Sequence, residues 1–236
     1  MSVQPRRATR SAALTDTVRL SGVGFGYGTT HRALRDVNLT LPSGSFHFLT
    51  GPSGAGKSTL LKLLTLQARP DAGSLHLFGE DATMAPRKAL PDFRRRIGVV
   101  FQDFRLLDHL SVFDNVALPL RLAGGKQIDY AADVEEMLDW VGLGDRMNDL
   151  PPSLSGGEQQ RLAIARAVVA GPDLILADEP TGSVDAKMGE RLLKLFQSLN
   201  RLGATVLIAS HDEALAERSG AAILRLDGGR LSGGEA

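Results

Sequence analysis

Cysteine is absent from this 236-residue chain. That excludes disulfides, thiolate metal sites and a cysteine nucleophile, and it fits a reducing compartment. Long apolar runs are missing as well. Thr205-Val-Leu-Ile-Ala209 is among the longest, whereas a membrane helix needs roughly twenty residues, so the chain is not expected to cross a bilayer by itself. An excess of either charge is also lacking: 27 Lys+Arg cancel 27 Asp+Glu. Without an overall basic surface, general attraction to nucleic acid is not expected, although a local patch stays open. What is present is ordinary for a globular protein, with 43% apolar and 23% charged residues. The length suffices for one large domain or two modest ones.

The first seventeen residues form a separate case. Arg6, Arg7 and Arg10 stand among small and polar residues, and no acidic residue precedes Asp16. An Arg- and Ser-rich, acid-poor start is a composition also found in organelle transit peptides, and the apolar core of a secretory signal is missing. Residues 1–17 are read as a disordered basic tail, able to touch anionic lipid weakly, with the folded domain over 18–236.

Within that domain, Val37-Asn-Leu-Thr-Leu41 alternates as a strand, and Phe46-His-Phe-Leu-Thr50 leads into a glycine-rich loop. Ser58 to Leu66 reads as a helix stopped by Pro70. Leu75 and Leu77 mark another strand, and Ile97-Gly-Val-Val-Phe101 a buried one. From about 111 to 170 the pattern turns helical. Val134, Met137, Leu138 and Val141 fall at helical spacing, and Gly142 is a C-terminal stop. Strands return at Asp173–Ala177, Thr205–Ala209 and Ala222–Leu226. Between the first two, Met188, Leu192, Leu195, Leu199 and Leu202 define one helical face. Buried strands alternating with helices predict an α/β core around a parallel sheet, with a helical subdomain inserted over about 103–170.

Three segments carry chemistry. Gly51-Pro-Ser-Gly-Ala-Gly-Lys-Ser58 matches G-x-x-x-x-G-K-[ST] between a predicted strand and a predicted helix. Glycines let the backbone wrap an anion, and the helix start adds positive potential. Lys57 can reach the β- and γ-phosphates, and Ser58 can ligate Mg²⁺. Gly51, Pro52, Ser53, Gly54, Ala55, Gly56, Lys57, Ser58 and Thr59 are therefore the candidate nucleotide site. Leu174-Ile-Leu-Ala-Asp178-Glu179 is an apolar strand ending in two acids. Asp178 is placed to hold Mg²⁺ and Glu179 to polarise an attacking water. In Leu154-Ser-Gly-Gly-Glu-Gln-Gln-Arg161, Ser155, Gly156 and Gly157 open a second helix, another anion-binding start. One nucleotide rarely needs two, so the second is expected to serve a neighbouring molecule's nucleotide.

The P-loop, Gln102, the Leu154–Arg161 segment, Asp178-Glu179, Asp185 and His211 occur in the order found in ATP-binding cassette ATPases. The chain resembles that family over essentially everything after Val18. The resemblance implies a P-loop NTPase fold with a RecA-like parallel core, an antiparallel β subdomain and an α-helical subdomain. It also implies ATP and Mg²⁺ as cofactors, and a head-to-tail homodimer that sandwiches two nucleotides. By position, Gln102 resembles the Q-loop residue that touches Mg²⁺ or the water. Ser155 and Gly157 resemble the signature groups on the opposite subunit's γ-phosphate. Asp185 resembles the D-loop aspartate, His211 the switch histidine, and Tyr27 the aromatic that stacks on adenine. Catalysis is assigned to Glu179, His211, Lys57 and Gln102.

Membrane-coupled members of the family accept a partner's helix near the Q-loop. Phe101-Gln-Asp-Phe-Arg-Leu-Leu107 and Ser111 to Leu120 are unusually apolar for such a surface, part of which must be core. Phe101-Gln-Asp103, Leu106-Leu107 and Asn115-Val-Ala-Leu-Pro119 resemble the family's bacterial cell-division branch. That branch works with a four-helix integral membrane protein and controls periplasmic peptidoglycan hydrolases indirectly. The implied place is peripheral, at the cytoplasmic face of the inner membrane. Branches that release lipoproteins or export macrolides share Glu158-Gln-Gln-Arg161 and Glu179-Pro-Thr-Gly182. A soluble cassette acting on DNA or ribosomes is the reading from another class. Such proteins usually carry two cassettes or long coiled-coil insertions, for which this chain has no room.

Overall fold

A computed structural model describes residues 16–28, 31–182 and 186–233. Most of the expected tail and Asp185 lie outside them. Thr17, which the sequence places in the tail, belongs to the fold. It is 4% exposed, its N–H donates to Leu41 O at 2.8 Å and its hydroxyl pairs with that of Thr205 at 2.8 Å.

Two sheets organise the chain. The first is antiparallel and runs in the order β2-β1-β4-β5, from β1 (Val18–Tyr27), β2 (His31–Leu41), β4 (Ala72–Leu77) and β5 (Glu80–Asp81). The second has six strands in the order β10-β9-β3-β8-β7-β6. Its members are β3 (Phe46–Thr50), β6 (Ile97–Val100), β7 (Leu174–Asp178), β8 (Thr205–Ala209), β9 (Ala222–Asp227) and β10 (Arg230–Ser232). All its pairings are parallel except β9 with β10.

The central strands are apolar throughout because both faces are covered. Leu49, Leu174, Leu176, Leu207 and Ala209 pack towards α1 (Lys57–Leu64) and the antiparallel sheet. Their alternates Phe48, Ile175, Ala177, Val206 and Ile208 pack towards α5 (Gly156–Val168), α6 (Ala186–Arg201) and α7 (Glu213–Ser219). A third cluster joins α3 (Val112–Leu122) and α4 (Gln127–Trp140) to Leu162 and Ala165 of α5. Helix α5 thus belongs to two cores at once, with Ile164 and Val168 on the sheet and Leu162 and Ala165 under the helical layer. A short α2 (Leu90–Arg95) precedes β6.

Two local expectations need correction. Helix α1 ends at Leu64, with Leu66 at φ 56°, so the left-handed turn stops it well before Pro70. On α6 the buried face is Leu192, Phe196 and Leu199, while Leu202 is 62% exposed. It lies past the helix end at Arg201, where the 3.6-residue period no longer applies.

Because β6, β7, β8 and β3 run parallel, their carboxyl ends share one edge of the sheet. The P-loop follows β3, Asp178-Glu179 close β7, His211 follows β8 and Gln102 follows β6. In an open α/β sheet this edge is where ligands bind.

Candidate functional site

The P-loop backbone needs its glycines. Gly51 has φ 146°, and a Cβ there would run into Leu226 O. At Gly56, with φ 111°, a Cβ would lie 2.7 Å from Ala33 O. Gly56 is also the N-cap of α1 and supplies no side-chain cap, so the first-turn N–H groups point into the loop ready for an anion. Pro52, Ser53 and Gly54 are exposed and form the open rim, whereas Ala55 is buried beneath them. Lys57 is 8% exposed. Its Nζ donates to Gly51 O at 2.7 Å and Pro52 O at 3.3 Å, and lies 3.9 Å from Glu179 Oε1. The ammonium is parked across the mouth of the loop.

At the end of β7, burial raises the Asp178 pKa, and a hydrogen bond with Ser58 opposes that shift. Asp178 Oδ1 is buried without a partner. An orphaned carboxylate oxygen beside a hydroxyl is the donor set a hard divalent cation takes, so these residues fit Mg²⁺. Glu179 holds a positive φ of 48°, and its N–H donates to Ala209 O at 2.8 Å. Its Oε2 accepts from His211 N at 3.2 Å and sits 2.8 Å from His211 Nδ1. Acid, histidine and lysine therefore meet at one point.

Gln102 is exposed in the turn two residues beyond β6. It lines an open cleft with Phe101, Asp103, Arg105 and Asp178. Tyr27 is 49% exposed, its hydroxyl lies 3.4 Å from Thr59 Oγ1 and from Lys62 Nζ, and its ring meets Phe25 edge-on at 5.1 Å. The Thr59 bond, ahead of Lys62, lowers its pKa. An open ring anchored at its hydroxyl end to the P-loop helix is available for stacking.

The second helix start stands apart. Ser155 caps α5 in a reciprocal box: Glu158 N–H donates to Ser155 Oγ at 3.4 Å, and Ser155 N–H to Glu158 Oε2 at 2.8 Å. Ser155 and Gly156 are exposed, and Gly157 is half-buried. Among the described residues no hydrogen bond joins these three to the P-loop. The structure therefore brings Tyr27, the P-loop, Gln102, Asp178, Glu179 and His211 together and leaves Ser155, Gly156 and Gly157 outside that group.

Residues 34–182 match the family described as ABC transporter. The chain belongs to the ATP-binding cassette family. It is an ATPase of that type and binds ATP. It is 46% identical to the cell division ATP-binding protein FtsE of Escherichia coli K12, over 92% of this chain and 98% of that protein. Identity to FtsE of Mycobacterium tuberculosis is 43%, over 84% and 86%. The methionine import ATP-binding protein MetN 1 of Burkholderia lata is 42% identical over 87% of this chain, but only 60% of that protein is covered. Among solved structures, the dimeric post-hydrolysis state of the cassette MJ0796 bound to ADP and Pi superposes with a TM-score of 0.84 at 35% identity. It covers 93% of this chain and 99% of that one.

Two polar residues of α5 escaped the motif reading. Gln160 is 1% exposed and its amide donates to Pro180 O, next to Glu179. Arg166 donates to two carbonyls after Gln102. Gln160 stood inside the Leu154–Arg161 segment without a role, and Arg166 showed only as a long polar side chain within the apolar run Leu162–Val169, with nothing to aim it at the turn after Gln102.

Proposed function

We propose that this chain is the ATP-hydrolysing subunit of a membrane complex for cell division, seated peripherally on the cytoplasmic face of the bacterial inner membrane. Its partner in this reading is an FtsX-like integral membrane protein, through which ATP turnover controls periplasmic peptidoglycan hydrolases. The observation that carries the chemistry is Glu179, held by His211 at 2.8 Å and facing Lys57 at 3.9 Å. Glu179 accepts the proton of the attacking water, His211 orients it, and Lys57 exchanges its carbonyl partners for phosphate oxygens. Ser58, Asp178 and Gln102 would hold Mg²⁺, which when bound neutralises charge on the phosphates. Tyr27 stacks on adenine. Ser155, Gly156 and Gly157, at a helix start whose first two residues are exposed, complete the site of a second copy in a head-to-tail dimer, and Asp185, in the role the family resemblance gives it, serves that interface.

Two observations support the membrane role. The similarity to FtsE proteins spans nearly the whole of both chains. The Phe101–Leu120 stretch also keeps an apolar surface: Val112, Val116 and Ala117 are buried in the helical core, while Phe101, Phe104, Leu107, Leu110 and Leu118 stay half-buried. Among the described residues no helix is long and apolar enough to cross a membrane, so attachment falls to a partner's helix.

Glu179→Gln tests both halves of this reading. The variant is expected to bind ATP normally and to lose nearly all turnover. Loaded with ATP, it should be recovered from detergent-solubilised membranes with a four-helix membrane protein. Normal turnover would remove Glu179 from its role, and recovery with ribosomes or DNA would refute the membrane complex.

A further inference from the structure

Arg166 lies on α5, half-buried, and burial pushes its pKa down. Among the described residues no carboxylate lies within ion-pairing reach of it. Its guanidinium instead donates through Nη1 to Arg105 O and through Nη2 to Phe104 O, each at 2.7 Å. Those two residues have φ values of 51° and 55°. Neither is glycine, and a Cβ makes this region unfavourable, so two in succession need an outside hold. The turn's own bonds are Phe104 N–H to Phe101 O at 3.2 Å and Arg105 N–H to Asp103 O at 2.6 Å. The Arg105 guanidinium also lies 4.0 Å from the centre of the Phe101 ring. Every one of these contacts is local. Among the described residues Arg166 alone ties the two left-handed carbonyls to a distant element, and it does so from the helix whose N-cap is Ser155.

We propose that Arg166 is a positioning residue for Gln102. Its planar fork clamps two consecutive carbonyls, fixes the left-handed turn, and thereby sets Gln102 in the cleft it shares with Asp178. A desolvated charge with only neutral partners is unfavourable unless its geometry does something an apolar side chain cannot. Two near-parallel N–H donors at fixed spacing are such a geometry, and a lysine lacks it. Since α5 packs into both the sheet core and the helical core, displacement of the helix reaches Gln102 through this fork. The inference rests on the role given to Gln102 above.

The test is steady-state ATP hydrolysis by the full chain, with thermal unfolding as the check on folding. Arg166→Lys is expected to lower kcat by about tenfold, as small misplacements at a reacting centre do. KM for ATP should stay within about twofold, because the P-loop grip does not pass through the turn. Adding Arg105→Gly to Arg166→Lys should restore most of kcat, since glycine takes a positive φ without a clamp. Arg105→Val, which resists that φ and leaves α5 untouched, should also lower kcat at constant KM. Gln102→Ala separates the two levels of the argument. If Gln102→Ala turns over normally, the role of Gln102 fails. If Gln102→Ala is impaired while a folded Arg166→Lys keeps its kcat, the clamp is overturned. Loss in Arg166→Lys that Arg105→Gly does not restore overturns it too, because the defect is then one of helix packing. Should Arg166→Lys fail to fold, a normal kcat in Arg105→Val is the refuting result.

Discussion

Asp178 is held by the fold at a cost to its ionised form. Burial raises its pKa while Ser58 pulls the other way, and Oδ1 has no partner. A carboxyl whose folded pKa is raised destabilises the fold when ionised. That penalty is present at neutral pH and shrinks as pH falls towards the unfolded value of about 3.9. Asp178→Asn should therefore raise the melting temperature of the metal- and nucleotide-free chain at neutral pH, by less on acidification, while turnover is lost. Calorimetry of both chains at two pH values checks this, and a lower melting temperature for the variant at neutral pH would contradict it. The aspartate itself was legible in the sequence, because an apolar strand ending in two acids beside a P-loop admits few readings. Its orphaned oxygen was not, since that depends on which neighbours fail to reach it. Arg166 was illegible for the opposite reason: arginines on helices normally reach solvent, and only the tertiary fold shows this one turned onto Phe104 and Arg105.

At the level of elements, one asparagine fixes the start of the helical layer. Asn115 is fully buried, and the two N–H donors of its Nδ2 are shared among the carbonyls of Leu107, Leu110 and Ser111 at 3.0 to 3.1 Å. Its Oδ1 accepts from Leu107 N–H at 2.9 Å. The side chain thus knots residues 107–111 onto α3, whose own N-cap is Ser111, accepting from Asp114 N–H. In the sequence Asn115 stood only as part of a family wording; in the structure it closes a loop. Asn115→Leu keeps the branched shape and the number of side-chain heavy atoms, and it leaves the partly buried Leu107 N–H and Leu110 O without this partner, at about 1–3 kcal/mol for each unsatisfied group. Urea unfolding should show a loss above about 2 kcal/mol, and a change near zero would mean that water replaces the amide. Helix α6 shows where periodicity stops informing. Leu192 and Leu199 keep the expected face, Phe196 completes it, and Leu202 leaves it because the helix has ended. Boundaries are set by turns and caps, which hydrophobic spacing does not record.

For the whole molecule, the decisive fact is that a chain with a complete P-loop carries a second anion-ready helix start that its own fold keeps outside the first. The sequence supplied both segments and their order; their separation required the three-dimensional arrangement. In the proposed head-to-tail pair each nucleotide would lie between the P-loop of one copy and the Ser155–Gly157 segment of the other, and a two-fold axis would make the two sites equivalent. Lys57→Ala disables a chain's P-loop, and Gly157→Asp places negative charge where the partner's phosphate would approach. An acid in the first helical turn also suits the helix dipole, so the second variant should keep its fold. With Glu179→Gln present in both to prevent turnover, each variant alone should retain no ATP through gel filtration. Mixed, the pair contains one intact site, made from the P-loop of the Gly157→Asp chain and the signature segment of the Lys57→Ala chain. Retained nucleotide should then appear in the dimer fraction of the mixture only. If Gly157→Asp alone retains ATP as well as its parent, each chain completes its own site and the head-to-tail arrangement is wrong.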